Sequence, residues 1–370
     1  STLRPTMLRS LLAVALFGTA SATSLLNLRG GAKDKVAIIG SGNWGSAIAK
    51  IVGRNVLDRD EFDTEVRMWV YQEQVDGKNL TDIINTDHEN VKYLPGIKFT
   101  DNVVADPDLT SAVTDASMLI FVLPHQFLGR ICPQMTTMAK GCRAISLIKG
   151  IEFNEQGPIL ISNMIKDAMD GMDVSVLMGA NVANEVARDD FCESTVGYAN
   201  KANGETWQRL FDCPTFRIGS IQDVAGVELC GALKNVVAIG AGFCDGLGFG
   251  GNTKAAIIRI GLKETIKFAK MFFTGVQDDT FFESCGLADL VTTCFGGRNR
   301  KCAEAFAKKE GTWDEIEAKL LNGQKLQGTI CAKDVMVVLK TKKLEKEFPL
   351  FTRIYEIAYE GKAPETIVQL

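Results

Sequence analysis

A few residues in this 370-residue chain combine types and spacings that could carry out a reaction. Lys234 lies in the apolar helical run 228–237, ELCGALKNVV. A lysine there is costly to bury unless it is paired or functional, and burial would lower its pKa and suit it to proton transfer. A stem lying on apolar surface with its head in water is the competing reading. Asp289, in GLADLV (286–291), has the same apolar setting and the opposite charge, so it is a natural partner. The segment 292–300, TTCFGGRNR, puts Thr293, Arg298 and Asn299 around a glycine pair at the start of a helix. Backbone N–H groups and a forked guanidinium would make a local anion site there, unless the arginines simply face water. Gly40-Ser41-Gly42-Asn43-Trp44-Gly45 is a G-x-G-x-x-G that follows an apolar strand and opens a helix, the context that makes it a dinucleotide fingerprint. Together these features suggest hydride transfer to or from a small phosphorylated carbonyl compound, with Lys234 donating the proton.

The elements that must position these residues can be read from the apolar runs. Residues 35–39, 118–123, 144–148 and 174–178 are short apolar runs and 65–71 alternates as a further strand, with helical or polar sequence between them. Such strands belong in a parallel sheet covered on both faces, a doubly wound α/β Rossmann-type domain. Ligands bind beyond the carboxyl ends of such strands, which places Phe127, Lys149 and Asn181 along the crevice. At the end of the second strand, Glu73 for a ribose and Tyr71 for adenine stacking are both open. No Arg or Lys follows immediately, which favours NAD over NADP. Beyond residue 220 the pattern turns helical: 227–248, 253–273, 285–294, 298–309, 313–321, 329–340 and 350–360. The expected organisation is 1–31 as a targeting leader or tail, 32–220 as the dinucleotide-binding domain, and 221–370 as an all-helical catalytic domain. The loop 322–328, with Lys325 and Gln327, could close over a cofactor.

Composition excludes several classes. Lys+Arg of 41 against Asp+Glu of 45 gives a net charge of −4, unlike the basic excess of a nucleic-acid-binding protein. Ten cysteines include no C-x-x-C, and there are two histidines, so no metal site is expected and the thiols read as reduced core residues. From Met7, a short basic region, the apolar run 11–17 and Ala20-Ser21-Ala22 follow the pattern of a signal peptide, too short for a membrane span. This points to an organelle, a plastid or another, with the cytoplasm as the alternative.

The chain resembles the NAD-dependent glycerol-3-phosphate dehydrogenases, nearest the eukaryotic soluble type. The resemblance rests on GSGNWGSAIAK (40–50), HENVKYLPG (88–96), LPHQF (123–127), ISLIKG (145–150), MGAN (178–181), GALKNVVAIGAGFCDGLG (231–248), ADLVTTCFGGRNR (288–300) and NGQKLQG (322–328). It implies reduction of dihydroxyacetone phosphate by NADH to sn-glycerol 3-phosphate, reversibly, by a homodimer. It implies Lys234 as the catalytic lysine, with Lys149 and Asp289 in the catalytic group. Substrate contacts fall on Lys149, Asn181, Thr293, Arg298 and Asn299. Cofactor contacts fall on Gly40, Ser41, Gly42, Asn43, Trp44, Gly45, Tyr71, Phe127, Ala183, Arg298, Lys325 and Gln327. Two rivals remain: a β-hydroxyacid or sugar-acid dehydrogenase of the same plan, which lacks the phosphate site, and an idle NAD-binding sensor, which would have lost Lys234, Lys149 or Asp289.

Overall fold

A computed structural model describes residues 33–154, 157–321 and 325–370. The expected leader at 1–31 and residues 322–324 of the expected closing loop lie outside the described residues. Eight strands form one sheet: β1 (Asp34–Ile39), β2 (Phe62–Trp69), β3 (Val103–Asp106), β4 (Met118–Phe121), β5 (Arg143–Ser146), β6 (Val174–Met178), β7 (Cys192–Gly197) and β8 (Phe216–Ile221). Their order is 8-7-6-5-4-1-2-3. All neighbours are parallel except β6 and β7. The run reverses direction between β1 and β4, and the crevice over that reversal is where a doubly wound sheet binds its ligand.

The strands are apolar at consecutive positions because both faces are covered. Val36 and Ile38 belong to one core cluster and Ala37 and Ile39 to another, one on each side of the sheet. Three strands lie outside the segments noted above. β3 has only four residues and alternates in burial, while β7 (CESTVG) and β8 (FRIGSI) carry polar residues. The antiparallel β6–β7 step is the departure from an all-parallel sheet.

The remaining elements used below are helices α1 (Asn43–Leu57), α2 (Val224–Gly246), α3 (Gly251–Phe272), α4 (Asp289–Phe295), α5 (Gly297–Ala307), α6 (Gln327–Lys342) and α7 (Pro349–Tyr359). The expected boundary at 220/221 falls inside β8, and both sides of it belong to one compact unit, Asp34–Leu370. α2 is apolar on most sides because it runs through the middle of the helical half. By length and composition it could cross a membrane, yet 89% of its apolar window is buried within the structure. Asp223 caps its start by accepting from Gly226 N at 2.7 Å, and also accepts from Thr280 Oγ1 at 2.6 Å. α5 crosses α2 so closely that a Cβ on Gly242 would lie 2.3 Å from Arg300 O. That crossing sets Asn299 of α5 beside Asn235 of α2, with Asn299 Nδ2 donating to Asn235 Oδ1 at 2.9 Å.

Candidate active site

The glycine turn lies between β1 and α1. Gly40 has φ +120°, a conformation open to glycine, and a Cβ there would lie 2.8 Å from Val122 O. A Cβ on Gly45 would meet Gly40 O at 2.3 Å, so α1 can start this close to the strand only with glycine at both positions. A Cβ on Gly42 would meet nothing within 4 Å. It would stand in the open space of a cavity of about 590 Å³ that Gly42 lines with Tyr71, Tyr93, Phe127 and Arg130. Bare backbone N–H groups at the start of a 15-residue helix, facing an aromatic-walled cleft, fit a dinucleotide with its pyrophosphate on the turn.

Asn90, absent from the residues singled out above, braces this turn. It is fully buried, and its amide donates to Ser41 O at 2.8 Å and Ser46 Oγ at 2.9 Å. Asn43 donates to Tyr93 O at 2.7 Å and to Asn184 Oδ1 at 2.9 Å, at the helix that Ala183 opens. The Trp44 ring packs edge-on against Phe216 at 6.3 Å, so its half-buried side chain leans on the core. Glu73, the candidate for the ribose, is held by Tyr93 Oη at 3.0 Å and Lys92 Nζ at 2.6 Å. The absence of nearby cations expected from the sequence is only local: Lys92 pairs with Glu73, and the Arg130 guanidinium lies 5.5 Å from the centre of the Phe127 ring.

At the other end of the crevice the catalytic candidates converge. Lys149 Nζ donates to Asn181 Oδ1 at 3.0 Å, Gly179 O at 3.2 Å and Asp289 Oδ2 at 3.4 Å. Lys234 Nζ bonds the other Asp289 oxygen. Lys234 is 8% exposed and Asp289 2%, which decides against a lysine head in water. Burial first, and then the Lys149 charge, pull the Lys234 pKa down to about 8, against the pull of Asp289. Asn181 is oriented by its own bond to Ser194 Oγ at 2.7 Å. A π-helical turn, Ser284–Ala288, delivers Asp289 to the sheet. Ser284 Oγ donates to Glu193 O at 2.8 Å, and Cys285 N donates to Thr195 Oγ1 at 3.3 Å, both on β7.

Thr293 Oγ1 donates back to Asp289 O at 2.7 Å, one helical turn on. Asn299 accepts from Gly328 N at 2.8 Å and so ties α5 to the start of α6. Arg298 is exposed beside it. Gln327 lines a small cavity with Lys149 and Asn235. Lys325 stands apart from the crevice residues: it pairs with Asp314 at 2.7 Å and Glu317 at 2.9 Å, and those carboxylates raise its pKa. Asn235, like Asn90, is a site residue not singled out from the sequence; a second polar residue next to Lys234 in an apolar helix was its signal.

Family models for the NAD-dependent glycerol-3-phosphate dehydrogenase N-terminus and C-terminus match residues 35–204 and 223–369. The chain belongs to this family. It is an oxidoreductase, and NAD is its cofactor. The cytoplasmic NAD(+) glycerol-3-phosphate dehydrogenase of Homo sapiens is 56% identical over 333 residues, covering 90% of this chain and 95% of the relative. The glycerol-3-phosphate dehydrogenase 1-like protein of Xenopus tropicalis is 55% identical over 336 residues, 90% of this chain and 95% of that one. Among solved structures, glycerol-3-phosphate dehydrogenase from Saccharomyces cerevisiae superimposes with a TM-score of 0.87 at 44% identity, covering 91% of this chain and 99% of that one. The Rossmann-type sheet followed by a helical half is therefore the family's plan.

Proposed function

We propose that the chain interconverts dihydroxyacetone phosphate and NADH with sn-glycerol 3-phosphate and NAD, with Lys234 as the general acid and base. The observation that carries this is the buried Lys234 Nζ, bonded to Asp289, which also accepts from Lys149. NADH supplies the hydride when bound. In reduction, Lys234 gives its proton to the oxygen developing from the substrate carbonyl; in oxidation, neutral Lys234 takes it back. Lys149 and Asn181 hold the carbonyl end, and Asp289 keeps the two ammonium groups apart while balancing their charge. The N-terminus of α5, which has no side-chain cap, supports a phosphate site with Thr293, Arg298 and Asn299. Gly40, Ser41, Gly42, the backbone of Asn43, Trp44 and Gly45, and Tyr71, Phe127, Ala183 and Gln327 hold NAD; Lys325 joins them only by leaving its acidic pair.

The test is NADH oxidation at 340 nm with dihydroxyacetone phosphate and with unphosphorylated dihydroxyacetone. Oxidation of NADH only with the phosphate ester is expected. Lys234→Ala should lower kcat by about a hundred- to ten-thousand-fold with NADH affinity kept; turnover near the parent's would overturn the role. A homodimer is the expected assembly, supported by exposed apolar surface such as Phe282 at 73% and Phe295 at 63%. Equilibrium sedimentation reads it directly. We also propose an organelle-directed leader at 1–31, with the cytoplasm as the alternative, and tagging the full chain decides between them.

A further inference from the structure

Beside Lys149 lies a group of ionisable side chains that the reaction above does not use. His125 Nε2 lies 2.7 Å from Glu152 Oε1. His125 opens the helical turn His125–Phe127 beyond β4, and Glu152 opens the short strand Glu152–Asn154, three residues after Lys149. The imidazole rests on the backbone of Gly150: a Cβ there would lie 3.2 Å from His125 Nδ1 and 3.6 Å from Cε1. Asp334 faces this pair from α6. All three line the same cavity of about 100 Å³ with Lys149, Asn235 and Gln327. Gln327, Cys331 and Asp334 are spaced i, i+4, i+7, so one face of α6 carries both the cofactor candidate and the acid. The Asp334 carboxyl is raised by burial first and then by Glu152, with Lys333 and then His125 opposing, which agrees with His125, Glu152 and Asp334 lying within electrostatic reach of one another.

We propose that His125, clasped to Glu152 and faced by Asp334, is a positioning residue that fixes the Lys149–Gly150 turn against α6 for binding of the three-carbon phosphate ester. The proposal rests on the reading of Lys149 as a substrate contact. The tip of Lys149 is held by Gly179, Asn181 and Asp289. The root of its side chain has local ties: Gly150 N to Ile148 O at 3.2 Å and Ile148 N to Ser146 Oγ at 3.3 Å. The imidazole packed on Gly150 and paired with Glu152 supplies a tie to another loop. Displacing a binding group by about 1 Å can cost up to about a hundredfold in rate. The side chains of His125 and Glu152 are 24% and 42% exposed, so the pair adds little to stability and its effect belongs in the kinetics.

The experiment measures kcat and KM for dihydroxyacetone phosphate, NADH affinity and Tm in His125→Leu, His125→Gln, Glu152→Ala and Lys149→Met. His125→Leu and Glu152→Ala should each raise the substrate KM about tenfold, with smaller changes in kcat and NADH affinity. His125→Gln should recover most of that loss, because its amide nitrogen can reach the place of Nε2 and still donate to Glu152. An unchanged KM in His125→Leu overturns the clasp, as does Glu152→Ala with parental KM if His125→Leu does not fold. A His125→Gln as impaired as His125→Leu overturns it too, since packing alone would then be at work. Lys149→Met separates this from the underlying reading: a parental substrate KM in that variant defeats the substrate role of Lys149 itself.

Discussion

At the scale of single residues, Lys234 works because it is buried next to both a carboxylate and another ammonium group. Its pKa near 8 gives the reaction a signed pH dependence. Reduction needs the charged form, so its kcat/KM should fall as pH rises through about 8; oxidation needs the neutral form and should fall as pH drops through the same value. Because the Lys149 charge is one cause of the lowering, Lys149→Met should move the alkaline limit of reduction to higher pH. Parallel profiles for parent and variant would show that the two ammonium groups do not sense each other. The glycine turn offers a second contrast between neighbouring residues. Gly42→Ala adds a methyl group where no atom lies within 4 Å, so Tm should hold while NADH binding weakens about tenfold or more. Gly45→Ala drives a methyl group to 2.3 Å from Gly40 O and should lower both. Calorimetry with NADH titration distinguishes the two. Lys234, Asp289 and the glycine turn were legible in the sequence because each broke a local rule. The contact of Lys149 with Asp289 was not, because 140 residues separate them and nothing local marks the meeting.

At the scale of elements, buried carboxylates recur at helix starts that belong to other segments. Glu228 of α2 accepts from Ile161 N and Ser162 N at the start of helix Ile161–Ala168. Glu264 of α3 accepts from Leu350 N at 2.8 Å and Phe351 N at 2.9 Å at the start of α7. Each satisfies orphan N–H groups and pins one element to another. Burial nevertheless pushes both carboxyls up to about 7. The folded state therefore binds these protons more tightly than the unfolded chain, whose carboxyls titrate near 4.5. Stability should decline as pH rises from about 4.5 to about 7 and level off above, by up to about 3 kcal/mol per group. Thermal unfolding from pH 5 to 8 should show Glu228→Gln with a shallower decline than the parent; equal slopes would remove Glu228 as a cause. No sequence rule exposes such caps, because donor and acceptor lie 67 residues apart for Ile161 and Glu228. Four strands could be read because consecutive apolar positions signal a covered sheet, and β2 from its alternation. β7 and β8 escaped because their polar residues, such as Ser194 and Ser220, are used in side-chain bonds within the fold.

At the scale of the whole molecule, the sheet and helical halves meet at the chemistry. Lys149 and Asn181 come from sheet loops, whereas Lys234 comes from α2 and Asp289 from α4, whose preceding turn the sheet anchors through Glu193 and Thr195. Opening that junction would separate the two lysines, so activity should be lost before the sheet unfolds; residual activity beside circular dichroism in a urea series reads this order. The same close packing has a consequence in a different currency, chemical reactivity over time. Of the ten cysteines, nine are buried and Cys331 is partly so. Burial pushes the thiols of Cys132 and Cys244 up to about 11 and those of Cys142, Cys294 and Cys331 up to about 12, which leaves little thiolate at neutral pH. The buried thiols on β7, α2, α4 and α5 are thus silent labels, each exposed to an alkylating reagent only while its own element is open. Timed alkylation read by peptide mass spectrometry would record opening element by element, without any introduced probe.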